Sequence, residues 1–199
     1  MTRPLIYLAS ASPRRSELLR QIGVGHEVRA VAVDESVREG EAPVEYVLRL
    51  AEEKARVLWE RLAGNERLPV LAADTTVALE GEVFGKPADH AEAVAMLTRL
   101  SGRTHQVHTA VAVLHAAGGG ARVSSSSVSL REIKRAEMDW YWRTGEAGDK
   151  AGGYAVQGRA AIFIRHIAGS YSGVMGLPLF ETWELLSSVP GLTVEGVPP

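Results

Sequence analysis

A chain of 199 residues with 46% apolar side chains can fill the core of one domain or of two closely packed lobes, and we expect a single domain over residues 1–199. The formal net charge of −2 excludes the overall positive field of a dedicated nucleic-acid binder, and the lack of cysteine excludes disulfides and thiolate metal sites. Residues 1–10 lack the apolar run of a secretory signal and no segment has the length of a transmembrane helix, so we expect a cytoplasmic protein that contacts neither nucleic acid nor membrane.

The first half of the chain predicts strands that alternate with helices. In chain order these are a strand at 5–10, a helix at 12–23, a strand at 26–33, a helix at 43–62 and a hairpin at 70–87. The first helix has Pro13 at its first position and ends at Gly23, which are typical start and stop residues. The hairpin turns at Glu80 and Gly81, between two apolar runs.

The second half predicts further hairpins and three helices. In chain order these are a helix at 89–102, strands at 106–116 and 121–134, a short aromatic helix at 137–146, a strand at 160–167 and a closing helix at 179–188. Asp89 and Glu92 resemble a capping box, and the triple glycine at 118–120 indicates a hairpin turn. Because hairpins are mixed with helical connections, we expect an α/β fold with a mixed sheet.

Positive charges occupy unusual places on the first two helices. Arg14 and Arg15 fall in the first turn of their helix, where the helix dipole favours acidic residues, so a bound anion would explain them. Lys54 falls on the apolar stripe of the helix at 43–62, although a lysine that snorkels along the boundary would give the same pattern. The chain has 22 basic residues, of which four are lysine, and a retained lysine can mark a position that a planar guanidinium does not fit. These lysines are Lys54, Lys86, Lys134 and Lys150.

Asp74 follows the apolar run "PVLAA" inside a predicted strand. A carboxylate is costly to bury there unless a partner compensates its charge. One reading is an aspartate that bonds to a neighbouring turn. The other groups Asp74 with the four cations Arg14, Arg15, Lys54 and Lys86, which would hold a polyphosphate while Asp74 accepts a proton from water or helps to hold a divalent ion.

Two further groups do not indicate chemistry. His105 and His108 are three residues apart at the entry to a predicted strand, so they face opposite sides of the sheet, make a poor chelate and are expected to be structural. The aromatic residues Trp140, Tyr141 and Trp142 have no interleaved basic residues, which disfavours a nucleic-acid surface and suggests packing between lobes or at a dimer contact.

Seven blocks of sequence, in their order and spacing, resemble the Maf family of nucleoside triphosphate pyrophosphatases. They are "SASPRR", "EEKA", "AADTTV", "GKP", "SGRTHQVHTAV", "GEAGDKAGGYAVQG" and "GSYSGVMGLPL". The resemblance implies an elongated mixed α/β fold of the inosine triphosphatase-like type, with two lobes around a central cleft. It also implies a homodimer that uses a divalent cation, Mg²⁺ or Mn²⁺, to hydrolyse a nucleoside triphosphate to the monophosphate and pyrophosphate.

The resemblance also implies roles for individual residues. The catalytic aspartate would be Asp74, and Glu35 with Asp74 would contact the metal. Phosphate-binding side chains would be Ser10, Ser12, Arg14, Arg15, Lys54 and Lys86. The block "DKAGGYAVQG" is similar to the branch that acts on dTTP and UTP, in which Arg14, Thr75 and Gln157 would select the base; a glutamine amide offers the donor and acceptor that complement thymine or uracil.

Two other functions stay open at this point. One is the branch of the same family that acts on 7-methylguanosine triphosphate. The other is a nucleotide-binding regulator of cell division without turnover.

Overall fold

The structure is a computed structural model that describes residues 5–64 and 67–194. The strands in chain order are β1 Ile6–Leu8, β2 His26–Val28, β3 Val70–Leu79, β4 Glu82–Phe84, β5 Thr104–His115, β6 Gly118–Leu130 and β7 Ile164–Ala168. The α-helices are α1 Pro13–Gln21, α2 Pro43–Arg61, α3 His90–Leu100, α4 Arg135–Trp142, α5 Tyr171–Met175 and α6 Leu179–Ser187. The two ends of the expected 1–199 domain, at 1–4 and 195–199, fall outside the described residues, and so do the first four residues of the 1–10 segment considered as a signal.

The strands form one mixed sheet in the order β2-β1-β3-β5-β6-β7, with β4 also paired to β3. β1 is parallel to both β2 and β3, whereas the pairs from β3 to β7 are antiparallel. The expected mixed α/β class is therefore confirmed. Among the described residues, no helix combines the length and apolar character that spanning a membrane requires.

Helices cover both faces of the sheet, and β3 shows how its residues divide between them. Val70 and Ala72 pack in a core cluster with α2, whereas Leu71 and Ala73 pack in a cluster with α1 and α6. Successive side chains on a strand point to opposite faces. Asp74 is therefore on the α2 face and Thr75 on the α1 face.

The middle of β3 has no strand partner on one side among the described residues. On the side away from β5, β1 pairs with β3 at Val70 and Leu71, and β4 pairs with it at 77–79. Within the described part of the chain, no strand pairs with residues 72–76 on that side. A cleft opens at this gap, and residues on both faces of β3 can reach it.

The predicted second strand is too long. β2 ends at Val28, whereas the sequence predicted a strand to residue 33. Val31 and Val33 are partly buried against the α2 cluster without pairing in the sheet. The alternation of apolar and other residues that predicted a longer strand therefore reflects packing of an irregular segment against α2.

Other boundaries also differ from the predictions. The triple glycine lies inside β6, and Ala116 and Ala117 form the hairpin turn. A Cβ atom at Gly119 would lie 2.5 Å from the Val113 carbonyl oxygen, so the glycine here permits close strand contact. Residues 159–163 form a 3₁₀ helix, so the strand predicted from 160 begins at 164, and the aromatic helix begins at 135 and ends at 142.

Candidate active site

The open edge of β3 borders a cleft of about 590 Å³. Every side chain that the sequence analysis assigned to the site lines this cleft. These are Ser10, Ser12, Arg14, Arg15, Glu35, Lys54, Asp74, Thr75, Lys86 and Gln157. The fold thus brings together residues from positions 10 to 157 of the chain.

A lysine between two carboxylates forms the α2 side of the cleft. The Nζ atom of Lys54 donates to Oδ1 of Asp74 at 2.7 Å and to Oε1 of Glu35 at 2.6 Å. Lys54 and Asp74 are each only 8% exposed. The inward orientation predicted for Lys54 is confirmed, and its ammonium compensates the charge that makes Asp74 costly to bury.

Glu35 is the more exposed member of this triad. Burial raises the pKa of Glu35. The hydrogen bond from Lys54 and the charges of Lys54, Lys86 and Arg15 lower that pKa by more, so the net shift is downward. The Nζ atom of Lys86 lies 4.0 Å from Oε2 of Glu35. Glu35 is therefore an anion at neutral pH, with cations on two sides.

The loop that carries Glu35 is held by α2. Residues 29–42 have neither helix nor strand. The Tyr46 hydroxyl donates to the Glu35 carbonyl oxygen at 2.9 Å, and Arg49 donates to Glu41 at 2.8 Å and to the Ser36 carbonyl oxygen at 3.0 Å. Tyr46 and Arg49 were not predicted as site residues, because their contacts depend on how an irregular loop folds back.

Arg15 organises the opposite face of β3. Its guanidinium donates to the Ser10 hydroxyl at 2.9 Å, the Gly176 carbonyl oxygen at 2.8 Å and the Thr75 hydroxyl at 3.3 Å. Burial lowers the pKa of Arg15, and the charge of Asp74 opposes that shift. An arginine remains charged in such a site, so Arg15 is a fixed cation beside the cleft.

The first turn of α1 faces the same space. Ser12 is the residue before the helix, its side chain makes no capping hydrogen bond, and the first turn has no acidic residue. Arg14 Nη1 lies 3.6 Å from Oδ2 of Asp149 across the cleft. The amides and cations at this helix end are arranged as anion-binding helix termini are.

The segment 149–157 closes the other side of the cleft. Gln157 is exposed at its end, and Lys150, which contacts Asp149, also lines the space. The backbone amide of Ala155 donates to the hydroxyl of Tyr141 at 3.0 Å. Tyr141 is fully buried and packs edge-to-face on Phe163, so the central residue of the aromatic cluster belongs to the core. Lys150 was missed as a site residue although the scarcity of lysine singled it out.

The two histidines lie outside the cleft. His105 is 1% exposed, contacts the Tyr154 hydroxyl at 2.6 Å, and burial lowers its pKa to about 4. His108 contacts Ser125 at 2.8 Å. Within residues 5–64 and 67–194, no group of three or more His, Cys, Asp or Glu side chains is placed to hold a metal ion.

Charge in the cleft is opposite in sign to that of the whole chain. Five cations and three carboxylates line it, whereas the chain carries a formal net charge of −2. These groups are Arg14, Arg15, Lys54, Lys86, Lys150, Glu35, Asp74 and Asp149. Such a local excess of positive charge attracts an anionic ligand.

Several known proteins are similar to this chain. A dTTP/UTP pyrophosphatase of Alkalilimnicola ehrlichii is 53% identical over 187 residues, which cover 92% of each chain. Proteins of the same name from Bordetella avium and Methylobacillus flagellatus are 53% and 50% identical, covering 92% and 98% of this chain and 94% and 96% of theirs. The structure of the Staphylococcus aureus Ham1 protein has a TM-score of 0.41 and 17% identity, covering 63% of this chain and 71% of that one. The family described as Maf-like protein matches residues 5–189, and the chain belongs to that family.

Proposed function

We propose that this protein hydrolyses dTTP and UTP to the monophosphate and pyrophosphate, removing these and modified pyrimidine triphosphates from the nucleotide pool. The observation that carries the proposal is the Asp74 carboxylate, which lines a cleft shared with five cations. The names of the relatives support the same reaction for this chain.

The triphosphate would bind where positive charge is concentrated. The first turn of α1 offers backbone amides with Ser10 and Ser12 beside them, while Arg14, Arg15 and Lys86 offer side-chain cations. Together they offset the negative charge of the substrate and the charge that develops in the transition state. This role explains two arginines at a helix end where the dipole alone disfavours them.

Asp74 would act as the general base. Its carboxylate accepts a proton from a water molecule as the water oxygen attacks the α-phosphorus, and the bond to the pyrophosphate leaving group breaks. The hydrogen bond from Lys54 fixes the position of the Oδ1 atom and orients the carboxylate. Lys54 would therefore help to offset the negative charge of the phosphates, and it also positions the general base Asp74.

A divalent cation, Mg²⁺ or Mn²⁺, is part of this proposal. Glu35 and Asp74 both present carboxylates to the cleft on either side of Lys54 Nζ. Mg²⁺ in nucleotide sites is commonly held by one or two carboxylates together with phosphate oxygens, so this donor set fits it. When bound, the ion would supply Lewis-acid stabilisation of the phosphate charge.

Base selection would depend on Gln157 together with Arg14 and Thr75. The exposed amide of Gln157 can donate to one atom and accept from another, which is the pattern that thymine and uracil require. Arg14 and Thr75 line the cleft with it. A base with a different edge would leave one of these polar groups unpaired.

The test is an assay of a panel of nucleoside triphosphates, with monophosphate and pyrophosphate measured in the presence of Mg²⁺ or Mn²⁺ and after chelation. We expect turnover of dTTP and UTP that requires the ion. Preferred turnover of 7-methylguanosine triphosphate would assign the protein to the other branch, and tight binding without turnover would favour a regulator.

We also propose a cytoplasmic homodimer, which the family resemblance supports. Sedimentation equilibrium tests the dimer, and a monomer at micromolar concentration would contradict it.

A further inference from the structure

A segment with little regular structure carries two polar residues of the cleft. Lys150 and Gln157 lie at its two ends, and the three-residue 3₁₀ helix Ala151–Gly153 is the one regular element between them. No strand ladder or long helix holds such a segment in place. The positions of both side chains therefore depend on individual contacts between the middle of the segment and the rest of the fold.

Two backbone hydrogen bonds provide part of this attachment. The amide of Gly152 donates to the Gly85 carbonyl oxygen at 3.0 Å. The amide of Ala155 donates to the hydroxyl of Tyr141 at 3.0 Å. These bonds hold the backbone on both sides of Tyr154, whose side chain makes a third contact.

The third contact is a buried pair of side chains. The Tyr154 hydroxyl lies 2.6 Å from Nε2 of His105 on β5, and the two rings meet edge to face with their centroids 5.5 Å apart. Tyr154 is 6% exposed and His105 is 1% exposed. Because Tyr154 also lines the cleft, the pair joins the wall of the cleft to β5.

Stability alone does not account for a histidine at this position. Nδ1 of His105 is buried without a hydrogen-bond partner in the part of the chain that the structure describes, and an unsatisfied buried nitrogen costs free energy. Two apolar side chains of similar shape would fill the same space without that cost. What the pair adds is direction, because a hydrogen bond has a preferred angle and fixes the orientation of the Tyr154 side chain.

We propose that His105 is a positioning residue: by orienting Tyr154, it holds residues 150–157 where Gln157 faces a bound triphosphate. The inference rests on the proposed function, because it takes Gln157 to contact the substrate. His105 is not among the residues that line the cleft, so it acts through Tyr154. Loss of the pair should therefore weaken binding of the substrate and leave the chemical step intact.

The experiment uses the double variant His105→Leu/Tyr154→Phe. Since both partners become apolar, neither leaves the other unpaired, and we expect the melting temperature to stay close to that of the unaltered protein. The dissociation constant of the α,β-methylene analogue of UTP, measured by calorimetry, should rise about fivefold, the factor that corresponds to one neutral hydrogen bond. The kcat for UTP should stay within about twofold, because Asp74 lies on β3 outside the segment.

A pair that only stabilises the fold would not give this pattern. An unchanged dissociation constant in the double variant overturns the inference, and so does a large fall in kcat at unchanged affinity. Tyr154→Phe alone is the second variant, because it removes one oxygen atom, keeps the ring and leaves a test if the double variant does not fold. An unchanged dissociation constant in Tyr154→Phe would also overturn the inference.

His108→Leu is the matched control. His108 lies three residues further along β5, so it faces the other side of the sheet, where it contacts Ser125 at 2.8 Å. The substitution removes an imidazole and its hydrogen bond from the same strand, and His108 does not line the cleft. It should leave the dissociation constant of the analogue unchanged. A rise equal to that of the double variant would overturn the inference, because loss of either β5 imidazole would then weaken binding.

A coupling measurement tests the route from the pair to the site. Gln157→Ala should weaken binding of the analogue more in the unaltered protein than in the double variant, where the segment no longer holds Gln157 in place. Equal losses in the two backgrounds would overturn the inference. Failure of the unaltered protein to hydrolyse UTP while it binds the analogue would defeat the proposed function alone, and failure to bind the analogue would defeat both.

Discussion

The Nζ atom of Lys54 and the Oδ1 atom of Asp74 are 2.7 Å apart, and the same ammonium is 2.6 Å from Glu35. One positive charge therefore compensates two negative charges. Lys54 and Asp74 are largely buried, so removing any member of the triad changes the electrostatic balance at low dielectric. This balance leads to separate predictions for Asp74 and for Lys54.

Asp74→Asn should abolish most turnover and preserve binding. Asparagine keeps the shape of the side chain but cannot accept the proton from water, so we expect kcat to fall by about 10²- to 10⁴-fold. Binding of a non-hydrolysable triphosphate should change by no more than a few-fold. Steady-state kinetics and calorimetry measure the two effects.

Asp139→Asn is the control for this variant, because Asp139 on α4 makes an ion pair with Arg135 and contacts His90 outside the cleft. It should keep wild-type kcat. Near-normal turnover in Asp74→Asn would show that another group removes the proton.

Lys54→Met should lower the free energy of unfolding as well as activity. Methionine can fill the space of the lysine stem, but Glu35 and Asp74 then face each other without a cation between them. Removing one partner of a buried ion pair costs about 3 kcal/mol. Urea denaturation at neutral pH measures this cost, and Lys134→Met at an exposed position is the control. Equal unfolding free energies for the two variants would contradict the prediction.

The parts of the site that lie on regular elements could be predicted from sequence. The helical period placed Lys54 on the inner face of α2, and the apolar run placed Asp74 within β3. Those two patterns are local, because each depends only on the sequence within one helix or one strand. The triple glycine shows the limit of such reasoning, because its composition suits a turn as well as the close strand contact at Gly119.

The remaining contacts depend on tertiary structure and have no local pattern. Arg49 lies on α2, where its spacing from Glu45 and Glu53 suggests pairs within the helix, but its strongest partner is Glu41 in the preceding loop. Thr109 is a buried polar residue of β5, and only the strand register shows that it lies opposite Thr75. Loop folding and strand register cannot be read from the spacing of residues in one segment.

Glu41→Gln should change how stability depends on pH. The hydrogen bonds from Arg49 hold the pKa of Glu41 at about 2, below its ordinary value of 4.5. Because the folded-state pKa is the lower one, the ionised contact stabilises the protein above pH 4.5, and that contribution is lost as the pH falls toward 2. The difference in unfolding free energy between wild type and Glu41→Gln should therefore be largest near neutral pH and shrink through this range.

Urea denaturation at a series of pH values measures this difference. Glu60→Gln, at an exposed position near the end of α2, serves as the control and should show no such convergence. A gap between wild type and Glu41→Gln that stays constant down to pH 3 would contradict the assigned contact. Since this loop carries Glu35, the variant should also require more Mg²⁺ for half-maximal activity.

Gly152→Ala should destabilise the protein more than Gly145→Ala. Both glycines have positive φ angles, +69° and +77°, so a side chain at either is strained by about 1 kcal/mol. A Cβ atom at Gly152 would also lie 3.0 Å from both Cγ atoms of Val77, whereas one at Gly145 meets nothing within 4 Å. We expect Gly152→Ala to cost about 1 kcal/mol more than the control, because a buried strand has little room to move. Thermal unfolding compares the two variants, and equal melting temperatures would show that the segment carrying Gln157 is not held tightly against β3.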